Sequence, residues 1–237
     1  MNHPLTKYLP DFPRTRHLPF NPNAKRDDLI ASEEECRIIF ESEYVYVEEK
    51  VDGANSGFTI HEGEPVIRNR NHILRKGYSS GRTAGKMQFA PAWNFFYENR
   101  GKFEDLFEML ESEVGVFGEW LYLVHGIRYT KLPAYFMVFD LWNPEGYWID
   151  TERVREACDL AGFHLTPLLH KGPVPSYEFL AKLCQEQSPY CDGRREGVYV
   201  KVCDGDRVIH RFKMVRHDFI QGEFWQKNVM EKNKLSA

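Results

Sequence analysis

Metal-binding and disulfide signatures are missing from this sequence. Its five cysteines, Cys36, Cys158, Cys184, Cys191 and Cys203, are scattered and never spaced C-x-x-C. That pattern argues against a disulfide framework or a cysteine zinc site and suits a reducing compartment. None of the nine histidines falls in H-x-x-x-H or H-E-x-x-H spacing, so no built-in transition-metal centre is expected. No apolar run approaches the ~18 residues of a transmembrane helix, and the N-terminus lacks an apolar signal core, so the expected location is the cytoplasm. Positive charge is not in excess either: 31 basic against 35 acidic residues leave a net charge of −4, and nucleic-acid binding cannot be read from that balance. What is present is a 237-residue chain, 42% hydrophobic and 28% charged, the composition of a globular protein with a substantial core.

Five of the thirteen prolines fall in the first 22 residues. Proline fixes φ and lacks an amide donor, so residues 1–30 are expected to be extended and irregular. After them, "IASEEECRIIF" reads as a short helix with Ser32 as N-cap. The stretches "YVYVEE", "SGFTI", "PVIRNR", "VGVFGEWLY" and "AYFMVFDLW" read as strands, with "HEGE" (His61–Glu64) joining two of them as a hairpin. "PAWNFFYENRGKFEDLFEMLES", "TERVREACDLAG" and "SYEFLAKLCQEQ" carry helical spacing. Asp150 or Thr151 is available to cap the second and Gly162 to stop it, and Ser176 caps the third. Strands and helices do not alternate regularly, which predicts an α+β fold of mainly antiparallel sheets with flanking helices. No repeat or low-complexity linker divides the chain, so residues 1–237 read as one domain.

From Pro65 to Tyr97 the chain has no Asp or Glu, yet Arg68, Arg70, Arg75, Lys76, Arg82 and Lys86 lie there. Cations interleaved with Asn, Ser, Gly and Tyr predict a local basic surface suited to phosphate backbones.

An alternating segment delivers Lys50 into "KVDG" at residues 50–53. Alone, K-x-D-G is a weak signal. In chain order it is followed by Glu119 in "VFGEW", Phe139 and Asp140 in "VFDLW", Glu196 and Lys201 in "REGVYVKV", and Arg211 and Lys213 in "HRFKMV". This ordered set resembles motifs I, III, IIIa, IV and V of the covalent nucleotidyltransferases, the polynucleotide ligases and messenger-RNA capping enzymes. Asn55 stands where DNA ligases and capping enzymes typically have arginine and where RNA ligases of the phage RNA ligase 2 type have asparagine. The resemblance covers about Tyr44 to Val215 and implies an ATP-dependent RNA ligase, with DNA ligase or capping-type guanylyltransferase as the enzyme alternatives. The alternative of another class is a nucleic-acid-binding module with a degenerate site.

What the resemblance implies for each residue agrees with elementary chemistry. Lys50 would attack the α-phosphate of ATP. A free lysine has a pKa of ~10.4, and the cations Arg211 and Lys213 would favour its neutral form while binding phosphate. Glu196 would face Mg²⁺ (or Mn²⁺), which prefers hard oxygen ligands. Phe139 would stack on adenine and Glu119 would accept from ribose hydroxyls, while Glu49, Asn55, Arg70 and Lys213 complete the nucleotide-binding set. The partners would be RNA 3′-hydroxyl and 5′-phosphate ends, as in RNA repair. Arg211 departs from the family's usual lysine: it keeps the charge but cannot act as a neutral amine. No separate C-terminal domain is expected beyond this nucleotidyltransferase domain.

Asp204-Gly205 between two β-type runs predicts a two-residue type I′ hairpin. That register would place Val198 opposite Arg211 and Glu196 opposite Lys213, with Lys201 on the other face.

Overall fold

The computed structural model describes residues 4–19, 28–74, 84–220 and 230–236, apart from the side chains of 84–87. Within these, the elements in chain order are β1 (Arg16–His17), α1 (Glu33–Glu41), β2 (Val45–Lys50), β3 (Ala54–His61), β4 (Glu64–Asn69), β5 (Ile73–Leu74), α2 (Ala84–Glu98) and α3 (Arg100–Leu110). There follow β6 (Gly115–Trp120), β7 (Phe136–Asn143), β8 (Tyr147–Trp148), α4 (Thr151–Leu160), β9 (Leu168–Lys171), α5 (Tyr177–Gln185), β10 (Gly197–Cys203) and β11 (Val208–Val215).

The local signals act as physics requires. Ser32 accepts the Glu35 amide while Glu35 returns a bond to the Ser32 amide, a full capping box. Asp150 caps α4 and Ser176 caps α5 through their side-chain oxygens. Glu62 and Gly63, at φ 52° and 77°, form the tight turn between β3 and β4. The predicted 91–112 helix breaks at Asn99, whose side chain turns back to the Phe95 carbonyl. The N-terminal segment is more ordered than expected. A 3-10 turn spans Pro4–Lys7, and β1 adds in parallel to β11, with Leu18 donating to the Lys213 carbonyl at 2.9 Å.

The chain forms two compact units. The first comprises Met1–Phe12, Gly53–Leu123 and Ala134–Leu165, and the second Pro13–Asp52, Val124–Pro133 and Thr166–Ala237. The first holds a six-stranded antiparallel sheet in the order β5-β4-β3-β6-β7-β8. An aromatic core that includes Phe58, Phe96, Phe103, Trp120 and Phe136 packs on it. The second holds a five-stranded sheet in the order β1-β11-β10-β2-β9, antiparallel except for the β1–β11 pair. Val45, Val47, Val198, Val200, Val202, Phe212 and Met214 share one of its buried faces with Ile39 of α1 and Leu180 of α5. Among the described residues no helix is long and apolar enough to cross a membrane. All five cysteines are free and buried.

The β10–β11 register corrects the predicted hairpin. Cys203 pairs with Val208, not Asp206, so the connection is the four residues Asp204–Arg207. Asp204 Oδ1 accepts the amides of Asp206 and Arg207 at 3.1 and 2.9 Å. This side-chain closure wins over the two-residue turn. A further irregularity at Val202/Cys203 leaves Tyr199 opposite Lys213, Lys201 opposite Arg211, and Val198 opposite Met214 rather than Arg211. The register differs from the predicted one by an odd number of residues, and an odd slip exchanges faces. Lys201 therefore lies on the same face as Arg211 and Lys213, against expectation. Glu196 precedes β10 and bonds through its carbonyl to the Arg216 amide, so it does not oppose Lys213.

Candidate active site

In the second unit, β2 ends on Lys50, paired with Gly197 of β10. The face carrying Lys50 also carries Glu48 and Tyr46 of β2, Tyr199 and Lys201 of β10, and Arg211 and Lys213 of β11. Glu196 lies outside the alternation, yet its Oε2 accepts from Lys50 Nζ at 2.7 Å. Gly197 beside it must be glycine, because a Cβ there would collide with the Met214 carbonyl. The structure thus brings Lys50, Arg211 and Lys213 to one face of one sheet with Glu196 at its Lys50 end; Lys213 stands in the row of Glu48 and Arg211 in the row of Tyr46, further along the strands. Glu49 is on the other face, where its carboxylate lies 3.6 Å from Arg195 Nε.

Asp52 closes the turn after Lys50. Its Oδ2 accepts the amides of Gly126 and Ile127 at 2.6 and 2.8 Å, and its own amide donates to Tyr129 Oη at 2.8 Å. Burial pushes the Asp52 pKa up, against the opposing pull of Lys50 and the two amides. Glu196 is likewise raised, to about 7, by burial and by Asp52, with Lys50 pulling it down. Burial holds His125 and His17 down to about 4, helped by Lys50 for the first and Lys213 for the second. Both imidazoles are therefore neutral at pH 7.

The donor chemistry fits a divalent hard cation. Glu196 and Asp52 are buried carboxylates that influence one another's charge. Among the described residues no group of three or more His, Cys, Asp or Glu side chains is placed to cage a metal. Two carboxylates completed by water and substrate oxygens suit Mg²⁺ or Mn²⁺ better than a softer metal.

The first unit holds the other predicted residues. Asn55 of β3 and Glu119 of β6 are cross-strand partners, and Glu119 Oε1 accepts the Gly53 amide at 3.1 Å. A Cβ on Gly53 would sit 2.7 Å from the Trp120 carbonyl oxygen, which explains the glycine of "KVDG". Asn55 Oδ1 is buried with no hydrogen-bond partner among the described residues. Phe139 is the extra residue where β7 slips against β6, between the Gly118–Val138 and Phe117–Asp140 pairs. A bulge re-aims its side chain, which meets Phe12 edge-on at 5.3 Å. Arg70 is exposed just past the end of β4.

Arg68 corrects the expected basic surface. It is buried, donating to the carbonyls of Leu9, Asn69 and Arg70 and to Asp11. Its task is to tie the N-terminal segment to β4. Arg75, Lys76 and Arg82, and the side chain of Lys86, lie outside the described residues.

The RNA ligase family model matches residues 43–215. The chain belongs to the RNA ligase family. No curated protein matches it by sequence. Among solved structures it is similar to Naegleria gruberi RNA ligase with PPi, at 18% identity and TM-score 0.57, covering 76% of this chain and 52% of that one. Two mutants of the same ligase, each with ATP and Mn, match at 16% and 14% identity and TM-score 0.54. The first covers 76% of this chain and 51% of its own, the second 81% and 53%. The chain spans about half the length of these structures. The similarity establishes the nucleotidyltransferase α+β fold expected from the sequence.

Several contacts around the site of this RNA ligase family member carry no signal in the sequence. Lys201 pairs with Glu48 at 2.8 Å in full burial. Arg195 donates to the carbonyls of Leu183 and Gln187 beside Glu49. "HGIRY", which supplies His125 and the amides on Asp52, carries no motif spacing that a single sequence could reveal.

Buried Glu49 supplies a stability prediction. Burial raises its pKa from 4.5 to about 7, opposed by Ser188 and Arg195. Between those values the folded chain binds more protons than the unfolded one. This contribution to stability is therefore complete below pH 4.5 and is lost as pH rises through 7. Glu49→Gln is expected to match the wild type at pH 5 and to exceed it at pH 8 by on the order of 2 kcal/mol. Urea unfolding at both pH values checks this; a constant difference would refute it.

Proposed function

We propose that the chain is an ATP-dependent RNA ligase. The observation that carries the reading is the 2.7 Å contact of Lys50 Nζ with buried Glu196, beside a sheet face that also carries Arg211 and Lys213. The neutral amine of Lys50 attacks the α-phosphorus of ATP; the P–N bond forms and pyrophosphate leaves. AMP then passes to an RNA 5′-phosphate and departs when a 3′-hydroxyl attacks. Glu196 orients the amine, and Arg211 and Lys213 balance phosphate charge. In the first unit we assign Glu119 to ribose, Phe139 to adenine, and Asn55 and Arg70 to the nucleotide's polar groups. Glu196 and Asp52 would hold Mg²⁺ or Mn²⁺, which supplies Lewis-acid stabilisation of charge on the phosphate.

Two further features support reading the chain as one domain in the cytoplasm. The chain passes between its two units at residues 12/13, 52/53, 123/124, 133/134 and 165/166, so neither unit is a continuous piece of sequence. The free, buried cysteines suit a reducing compartment.

The test is incubation with each labelled nucleotide and a divalent cation, followed by sealing of RNA, DNA and mixed strands flanking one 5′-phosphate nick. A covalent AMP adduct and joining that requires RNA are expected. A GMP adduct would point to a capping-type enzyme, equal sealing of all-DNA nicks to a DNA ligase, and no adduct to a binding module.

A further inference from the structure

The segment 230–236 lies beyond the residues matched by the family, yet it is laced to the loop that clamps the turn after Lys50. Val124 donates to the Glu231 carbonyl, Lys234 to Tyr129, Leu132 to Lys234 and Ser236 to Leu132, at 2.8–3.0 Å. Leu132 and Leu235 form a parallel bridge. Arg128 makes a two-pronged pair with Glu231 at 2.9 and 2.7 Å. At the centre, buried Asn233 accepts the Tyr129 amide on Oδ1 at 2.8 Å. Tyr129, itself fully buried, accepts the Asp52 amide on its hydroxyl.

The chain of contacts is short and directional: Asn233 holds the Tyr129 backbone, and the Tyr129 hydroxyl holds the Asp52 backbone. The same loop offers the Gly126 and Ile127 amides to the Asp52 carboxylate. The turn Lys50-Val51-Asp52 is thus gripped at its amide and its side chain by a loop that segment 230–236 braces from behind. Positioning matters here, since displacing a nucleophile by about 1 Å can cost about 10²-fold in rate.

We propose that Asn233 and Tyr129 are positioning residues for the nucleophile turn, and that segment 230–236 is a strap which sets the geometry of Lys50. The proposal rests on the reading of Lys50 as the nucleophile. It goes beyond that reading in placing rate control in a segment outside the family's motifs.

The experiment uses the full chain with Asn233→Ala, Asn233→Asp, Tyr129→Phe and the Asn233→Ala/Tyr129→Phe pair. Under single turnover, Asn233→Ala and Tyr129→Phe are each expected to lower the maximal rate of AMP-adduct formation roughly 10-fold, with half-saturating ATP changed less than about 3-fold. Asn233→Asp keeps an oxygen acceptor and should recover much of the loss. The double variant should fall well short of the product of the two single losses, because both act through one contact chain. Hydrogen exchange of the peptide containing Asp52 should quicken in Asn233→Ala, with or without nucleotide.

Unchanged exchange at Asp52 would overturn the strap, as would a rate loss that merely tracks the fraction folded or multiplies in the double variant. Should Asn233→Ala fail to fold, Tyr129→Phe reads the same link from its other end. If the wild type forms no adduct, the ligase reading falls; the exchange measurement still decides whether Asn233 controls the turn.

Discussion

Lys50→Ala is expected to lose the covalent AMP adduct and all sealing, a drop of at least about 10³-fold, worth on the order of 4 kcal/mol or more in the barrier. Lys50 ends β2 at the point where Glu196 Oε2 meets its Nζ at 2.7 Å, with Arg211 and Lys213 on the same face. On the proposed reading, removing the amine removes the atom that would bond to phosphorus, and the neutral imidazoles of His125 and His17 are not on this turn. Lys50→Arg separates chemistry from architecture. Guanidinium can keep the pair with Glu196 but stays protonated, so this variant should fold and bind ATP without forming adduct. Mass spectrometry after incubation with ATP and Mg²⁺ gives the readout, and the wild-type bond should be acid-labile and alkali-stable. An undiminished adduct in either variant would remove Lys50 from the mechanism.

Lys201→Met is expected to cost about 3–5 kcal/mol of stability, since it strips a partner from a desolvated charge. Lys201 Nζ lies 2.8 Å from Glu48 Oε2, and the two side chains are 0% and 2% exposed. Glu48→Leu should cost a similar amount for the converse reason. The double variant Glu48→Leu/Lys201→Met should regain more than half of either loss, because a buried ion pair can be exchanged for packed apolar side chains with little penalty. Urea unfolding of the four proteins closes the cycle. Single losses below about 1 kcal/mol would mean that water reaches the pair and that it behaves like a surface bridge.

The local signals in the sequence were sufficient where the interaction is itself local. Ser32, Asp150 and Ser176 cap their helices because an N-cap bond spans two or three residues. The Glu62-Gly63 turn follows from a left-handed requirement that few residues meet. The ordered motifs picked out Lys50, Asn55, Glu119, Phe139, Glu196, Arg211 and Lys213 and with them the family, because motif order and residue chemistry survive without coordinates.

What only the tertiary structure decided is which face each residue takes and what stands behind it. Strand faces alternate with period two, so the Asp204 side-chain turn and the slip at Val202/Cys203 were enough to move Lys201 from the predicted far face to that of Arg211 and Lys213. Arg68 looked like one more surface cation until Leu9 and Asp11, more than fifty residues away, proved to enclose it. Glu49 and Lys50 are neighbours in sequence yet face opposite sides of β2. The grip of Gly126, Ile127 and Tyr129 on Asp52, and of Asn233 on Tyr129, joins residues 74 to 104 positions apart. Such partners are chosen by the packed fold, since a buried amide must find an acceptor wherever the chain brings one, and a single sequence holds no record of which one it will be.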